Sequence, residues 1–118
     1  MPQATSAPAP VLSIDVEYVE GVAVVHCHGR LVYGWTVALF TPVSELIPTH
    51  KRIILDLSDL KHTDSMGIGT LVRLYVSAKS HGCSLELLNL SQQIRNLLGM
   101  TNLLSIFTVV GEHGIRWM

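Results

Sequence analysis

Apolar and polar residues alternate along the first part of the chain, with the period of a β-strand. Val11–Val19 alternates, Glu20-Gly21 supplies a turn and Val22–His28 follows, so the pattern predicts a β-hairpin that Gly29 ends. Arg52–Leu57 reads RIILDL, a β-branched run typical of a buried central strand, and we expect a loop after it.

Three segments carry apolar residues at helical spacing. They are Thr36–Ile47, Met66–Ser80 and a short helix that Ser91 caps and Gly99 ends. Pro42 marks either the first turn of the first helix or a kink in it, and Gly82 supplies a left-handed end to the second. The second helix is predicted to bury Ile68, Leu71, Val72, Tyr75 and Val76, and to expose Thr70, Arg73, Ser77 and Ser80.

Two further strands, Leu85–Leu90 and Ser105–Val110, complete an alternation of strands and helices. Such an order implies crossover connections, so the predicted fold class is α/β, with a single mixed β-sheet and helices mainly on one face. A length of 118 residues fits one domain, which we expect to span residues 11–118. Residues 1–10, rich in proline and small residues, are expected to form a disordered tail.

Composition narrows the classes of function. Charged residues make up 14% and the net charge is −1, so the chain lacks the basic field that nucleic-acid binding requires. The longest uncharged stretch, Asn96–Gly111, is too short and too polar to span a membrane. Cys27 and Cys83 fit buried thiols in a reducing compartment, and no signal peptide is visible. We therefore expect a cytoplasmic protein without membrane insertion.

The most informative segment runs from the buried strand into the longest helix. Asp64 is placed as the N-cap of that helix, and Ser65 lies in its first turn, where the helix dipole favours an anion such as phosphate. Gly67 and Gly69 allow either a partner to approach the backbone closely or the helix to pack tightly on the sheet.

These residues resemble a known family. Asp64-Ser65-Met66-Gly67-Ile68-Gly69, after the strand Ile53–Leu57, is similar to the signature of STAS domains of the anti-sigma-factor antagonist type. Two looser patterns agree with it, Gly29-x-Leu31 and the run Ser91-x-x-Ile94-x-x-Leu97-Leu98 with Leu103 after it. The resemblance covers roughly Leu12 to Val110.

The resemblance implies a binding module that is not an enzyme and uses no cofactor. It implies that Ser65 is phosphorylated by an anti-sigma factor that is also a serine kinase. The unphosphorylated form would sequester this partner and so free a sigma factor. A phosphatase would remove the phosphate from Ser65. Carried over by position, the partner-binding residues are Asp64, Met66, Gly67, Ile68, Gly69, Thr70 and Arg73. A monomer or weak dimer is expected.

The chain also departs from the family pattern. Met66 replaces a frequent Ser or Thr, and Arg30 and Val32 replace residues that are often acidic. The segment after the last strand is short and ends in Trp117-Met118. These departures leave open an alternative, a constitutive STAS scaffold that docks to a transporter or signalling complex without phosphorylation.

Other parts of the chain carry residues that suggest different chemistry. The start of the helix near Gly67 and Gly69 is a candidate nucleotide site, although no basic residue lies within the motif. Three further constellations are a zinc site at His26 and His28, a hydrolase triad of His62, Asp64 and Ser65, and a magnesium site at Asp56, Asp59 and Asp64. The zinc site lacks further ligands at suitable spacing, and the triad lacks the G-x-S-x-G turn of hydrolases. In the magnesium site we expect Asp56 to lie in the strand and Asp59 to face solvent.

Overall fold

A computed structural model describes residues 10–110. The predicted tail, apart from Pro10, and the C-terminal segment with Trp117 lie outside the described residues. Within residues 10–110 no helix has the length and hydrophobicity that crossing a membrane requires.

Within residues 10–110, five strands form one mixed sheet, as the alternation of elements predicts. They are β1 (Leu12–Val19), β2 (Val22–Leu31), β3 (Arg52–Thr63), β4 (Ser84–Leu88) and β5 (Thr108–Val110). The strands lie in the order in which they occur along the chain; β1 pairs antiparallel with β2, and all later pairs are parallel. The parallel strands bring their carboxyl ends to one edge of the sheet.

In the described part of the chain, three helices cover one face of this sheet. They are α1 (Val37–Leu46), α2 (Ser65–Ser80) and α3 (Gln92–Met100), with short 3-10 turns at Ile47–Thr49 and Leu104–Ile106. Leu39, Leu71 and Ile94, one from each helix, join the same core as the inward side chains of β2 and β3. Among the described side chains, the opposite face carries a small second cluster of Val24, Ile54 and Leu88. The prediction of helices on one face is confirmed.

The pairing of β2 with β3 is longer than predicted. Gly29 does not end β2, which continues to Leu31, and the loop expected after Leu57 is wrong because β3 runs on to Thr63. Gly29 has φ +104, and a Cβ there would overlap the carbonyl oxygen of Val11. The glycine therefore permits a close approach inside the sheet and does not mark the end of a strand.

The buried side of α2 also differs from the predicted stripe. Val76 is 58% exposed, whereas Thr70 is 3% exposed and its hydroxyl donates to the carbonyl of Met66. The buried residues of α2 are Gly67, Ile68, Thr70, Leu71, Leu74 and Ala78. Three of these residues are small or polar, and their small side chains let α2 lie close to the sheet. The buried face of α2 is therefore rotated around the helix axis relative to the face predicted from hydrophobicity alone.

Smaller boundary differences have local causes. Pro42 lies inside α1, beyond its first turn. The last strand begins at Thr108, three residues later than predicted, because Leu104–Ile106 forms a 3-10 turn, and β4 ends at Leu88. The Ser91 cap is confirmed by its hydroxyl, which accepts from the Ile94 N–H at 3.2 Å, although α3 continues one residue past Gly99.

The cysteines are buried thiols, as predicted. Cys27 and Cys83 are both free, and burial raises the pKa of the Cys27 thiol to about 12. A thiol so protonated is a poor nucleophile, so Cys27 serves as a small apolar side chain of the core.

Candidate functional site

The start of α2 is held by the carboxylate of Asp64. Its Oδ1 accepts the N–H of Gly67 at 2.9 Å, which confirms the predicted N-cap, and its Oδ2 accepts the N–H of Tyr33 at 2.9 Å. The hydrogen bond from Tyr33, then that from Gly67, holds the pKa of Asp64 below its ordinary value. One side chain therefore fixes both the helix and the loop between β2 and α1.

Gly67 packs against the end of the sheet. A Cβ at this position would overlap Thr63 Oγ1 and the carbonyl oxygen of Leu31. Those two atoms are hydrogen-bonded to each other, since the buried hydroxyl of Thr63 donates to the Leu31 carbonyl at 2.7 Å. Gly67 therefore allows tight packing of the helix on the sheet, one of the two roles considered for it, and its contact with a partner stays a prediction. Gly69 is different: it is exposed, and a Cβ there would meet nothing within 4 Å.

Ser65 is exposed as the first residue of α2, and the next residue, Met66, is 52% exposed. Beside them lies an open groove of about 800 Å³ between the start of α2 and the end of α3. The groove is lined by His62, Thr63, Asp64, Ser65, Ile68, Gly69, Val72, Arg73, Leu97, Thr101 and Leu103. The predicted phosphoacceptor thus lies at the edge of a largely apolar depression.

The residues carried over as partner contacts divide into two groups. Asp64 is partly exposed, and Ser65, Met66, Gly69 and Arg73 are exposed. Gly67, Ile68 and Thr70 are buried, so they shape the site from beneath, and the placement of Thr70 on the exposed side is wrong. The guanidinium of Arg73 lies 4.3 Å from the ring centroid of Phe40, a cation–π contact that joins α2 to α1.

The structure does not arrange His62, Asp64 and Ser65 as a hydrolase triad. His62 Nδ1 is 2.9 Å from the amide nitrogen of Gln93, which donates to it. Both carboxylate oxygens of Asp64 accept from backbone N–H groups, so Asp64 does not orient His62. Among residues 10–110, no group of three His, Cys, Asp or Glu side chains is arranged to hold a metal ion.

Sequence reasoning missed what His26 does. This residue lies on the sheet face away from the helices, where its Nδ1 is 2.7 Å from Asp56 Oδ2 and its Nε2 is 2.9 Å from Glu17 Oε1. Its imidazole therefore connects β3 to β1 across β2.

His28, two residues further along β2, makes the same kind of contacts. Its Nδ1 is 2.7 Å from Asp59 Oδ2, and its Nε2 is 2.9 Å from Asp15 Oδ2. A shift in register makes the repeat possible: His26 pairs with Asp56, but His28 pairs with Asp59, three residues further along β3. This β-bulge turns Asp59 to the same face as Asp56.

Comparison with known proteins places this geometry in a family. A model of the STAS domain matches residues 13–114. An anti-sigma F factor antagonist of Paenibacillus polymyxa is 25% identical over 100 residues, which cover 83% of this chain and 86% of the relative. An anti-sigma factor antagonist from Mycobacterium paratuberculosis has a similar structure, with a TM-score of 0.78, 20% identity and coverage of 91% of this chain and 92% of its own.

A third similar protein, the anti-sigma factor antagonist SpoIIAA, has been solved in two forms. The unphosphorylated form gives a TM-score of 0.72 at 20% identity, covering 85% of this chain and 90% of that one. The phosphorylated form, described as a Bacillus cell fate determinant, gives 0.67 at 19% identity, covering 85% and 93%. The match of the family model over most of the chain, together with the five-stranded mixed sheet and its one-sided helices, shows that the chain belongs to the STAS domain family.

Proposed function

We propose that this chain is an anti-sigma factor antagonist, a binding module and not an enzyme, whose contact with an anti-sigma factor kinase is gated by phosphorylation of Ser65. The observation that carries the proposal is the placement of Ser65, exposed at the start of α2 directly after the Asp64 cap. Relatives named as anti-sigma factor antagonists support the general role.

The surface around Ser65 suits a protein partner. Met66 offers an exposed apolar side chain, Gly69 leaves open space above the helix, and the groove continues past Ser65 towards Leu97 and Leu103. In the proposed complex the partner covers Met66 and Gly69 and extends into this groove. Burial of such apolar area supplies most of the binding free energy.

Phosphorylation would change this surface through charge. A phosphoserine carries about −1.5 to −2 charges at neutral pH. The N–H of Gly67 is already bonded to Asp64, so the new anion would lie beside an existing carboxylate, in a place where binding requires water to be removed. A loss of a few kcal/mol lowers affinity by about two to three powers of ten.

The proposed cycle needs two further activities. While Ser65 is unphosphorylated, the chain sequesters the kinase, and the sigma factor that the kinase held is released. A phosphatase removes the phosphate and restores binding. We place this cycle in the cytoplasm, with the chain acting as a monomer or weak dimer.

Arg30 bears on the choice of partner. It is exposed near the end of β2, and its register partner on β3 is His62, which lines the groove. Arg30 therefore places a positive charge near this edge of the site, at a position where the family resemblance would often place an acidic residue. We expect the partner to present an acidic or apolar surface at this place.

Two variants and a control test the proposal. Ser65→Ala and Ser65→Asp are used as baits in lysate of the host, with Ser13→Asp as the control because Ser13 is exposed on β1. We expect Ser65→Ala and Ser13→Asp to capture a serine kinase of the anti-sigma type, and Ser65→Asp to lose it. Phosphoproteomics of the native protein under growth and stress should find phosphate on Ser65.

Equal capture of that kinase by all three baits would contradict the gate. Capture of a membrane or ATPase complex by all three, with no phosphate on Ser65 in any condition, would favour the constitutive scaffold.

A further inference from the structure

Two groups of side chains on the sheet face away from the helices, here called the open face, have the same arrangement of contacts. We call them the histidine bridges. They are Glu17–His26–Asp56 and Asp15–His28–Asp59. In each, one imidazole lies between a carboxylate of β1 and a carboxylate of β3. Each bridge therefore fastens the edge strand β1 to a strand with which it shares no backbone hydrogen bonds.

The number of protons on each ring follows from the contacts. A neutral imidazole has one N–H donor and one bare nitrogen, whereas an ionised carboxylate only accepts. A neutral ring between two carboxylates would satisfy one of them and turn its bare nitrogen towards the lone pairs of the other at less than 3 Å. A doubly protonated ring donates to both, and such charge-assisted hydrogen bonds are the strong ones.

We propose that His26 and His28 both carry two ring protons at neutral pH and that the histidine bridges are a pH-sensitive fastening of β1 to the sheet. The charged groups that face the two rings are the four carboxylates of the bridges, and Lys61 Nζ lies 3.0 Å from Asp59 Oδ1. Since the three helices cover the other face, they contribute no group to this arrangement.

Loss of one of the two protons from each ring reverses the electrostatics of the bridges. With both rings protonated, two cations lie among four carboxylates, and the six side chains carry a net charge of −2. Once both rings are neutral, the same side chains carry −4, and β1 and β3 present like charges to each other. The attraction between β1 and β3 is then replaced by electrostatic repulsion. Salt screens this repulsion because the groups are partly exposed.

The direction of the pKa changes agrees with this geometry. The hydrogen bond with Glu17, and after it that with Asp56, raises the pKa of His26 against the opposing effect of burial. Asp59, followed by Asp15, raises the pKa of His28. Because these pKa values rise above the unfolded 6.5, the stabilisation is complete below pH 6.5 and is lost as pH rises through the folded values.

The first test reads the ring protons directly. Nitrogen-15 NMR of the full chain at pH 7 distinguishes protonated from bare ring nitrogens, and His26→Gln and His28→Gln assign the signals. We expect both nitrogens of both rings to be protonated. A neutral tautomer at either ring would overturn the proposal.

The second test measures stability against pH. Urea denaturation of the wild type between pH 5.5 and 9 should show a midpoint that falls as pH rises. The variant Asp15→Asn with Glu17→Gln should lose most of this dependence, because an amide can serve a neutral ring. The control His81→Gln alters an exposed histidine at the end of α2 and should keep the wild-type dependence.

An equal slope in the double variant and the wild type would overturn the proposed fastening. If the double variant does not fold, the ring-proton measurement on the wild type still decides the matter.

Discussion

The carboxylate of Asp64 accepts the backbone N–H of Tyr33, a residue 31 positions earlier in the chain, while it caps α2 through Gly67. This contact ties the loop between β2 and α1 to the helix that carries Ser65. The candidate site therefore rests on two segments that one side chain holds together.

Removal of this side chain should release both segments. We expect Asp64→Ala to lower the free energy of unfolding by about 0.5–2 kcal/mol, the usual cost of a lost N-cap. Asp64→Asn keeps one carbonyl oxygen, which can accept from Gly67 but leaves the Tyr33 N–H without its acceptor. Hydrogen exchange of the Tyr33 amide should then be fast in both variants, whereas the Gly67 amide should stay protected in Asp64→Asn alone. Wild-type stability of Asp64→Ala would contradict this account.

The same carboxylate should make stability depend on acidity. Hydrogen bonds from Tyr33 and then Gly67 lower the pKa of Asp64 below 3.8. The stabilisation is therefore present above pH 3.8 and lost as pH falls through the folded value. Acid titration of the wild type should show this loss, and in Asp64→Asn the contribution should be missing. An unchanged acid profile in Asp64→Asn would argue against it.

Two glycines of α2 offer a matched pair of substitutions. Gly67→Ala should destabilise the protein by about 1–3 kcal/mol, because the new methyl group would overlap Thr63 and the Leu31 carbonyl. Gly69→Ala enters open space and should stabilise the helix by up to about 1 kcal/mol. Thermal and urea denaturation of both variants measure the difference. Equal effects at the two positions would mean that Gly67 is not held against the sheet.

Met66 should contribute to binding without contributing to the fold. If the proposed partner kinase binds this surface, we expect Met66→Lys to weaken its binding by roughly tenfold or more, since about 1.4 kcal/mol corresponds to each tenfold change. Val76→Lys is the control, because Val76 is comparably exposed further along α2. Titration calorimetry with the purified partner gives both affinities, and denaturation should show both variants close to wild type. Similar affinities for the two variants would place the contact surface elsewhere.

A salt bridge on the open face of the sheet should behave as a coupled pair. Arg52 Nε and Nη2 donate to Glu86 at 2.9 and 2.8 Å, and the Glu86 side chain is only 10% exposed. Arg52→Met leaves that carboxylate with Ser84 as its remaining hydrogen-bond donor in the described contacts, at a cost of about 1–3 kcal/mol. Adding Glu86→Leu should recover much of the loss. Additive effects in this double-mutant cycle would show that the two residues do not interact.

The sequence revealed the features that depend on neighbouring residues. Asp64 and Ser91 were recognisable as caps because an N-cap acts on the amide three residues later, and both contacts are present. The order of strands and helices was equally accessible, because each element carries its own periodicity. The role of Thr70 was not, because its burial depends on how closely α2 approaches the sheet.

The histidine bridges lay beyond sequence reasoning for another reason. Asp59 is three residues from Asp56, a spacing that in a regular strand puts two side chains on opposite faces. Only the register shift between β2 and β3 brings Asp59 to His28. A bulge depends on pairing between distant segments, so alternation within one strand does not predict it.

The sheet order has a consequence for how the molecule is made. Every strand pairs with the one before it, so a chain leaving the ribosome can add each new strand to an edge that already exists. Ser65 and its cap are complete once α2 has formed, but Leu97 and Leu103, which line the groove, follow only with α3 and the turn after it. A nascent chain that ends before α3 can therefore expose Ser65, the proposed phosphoacceptor, before the residues of α3 that complete the groove have been made.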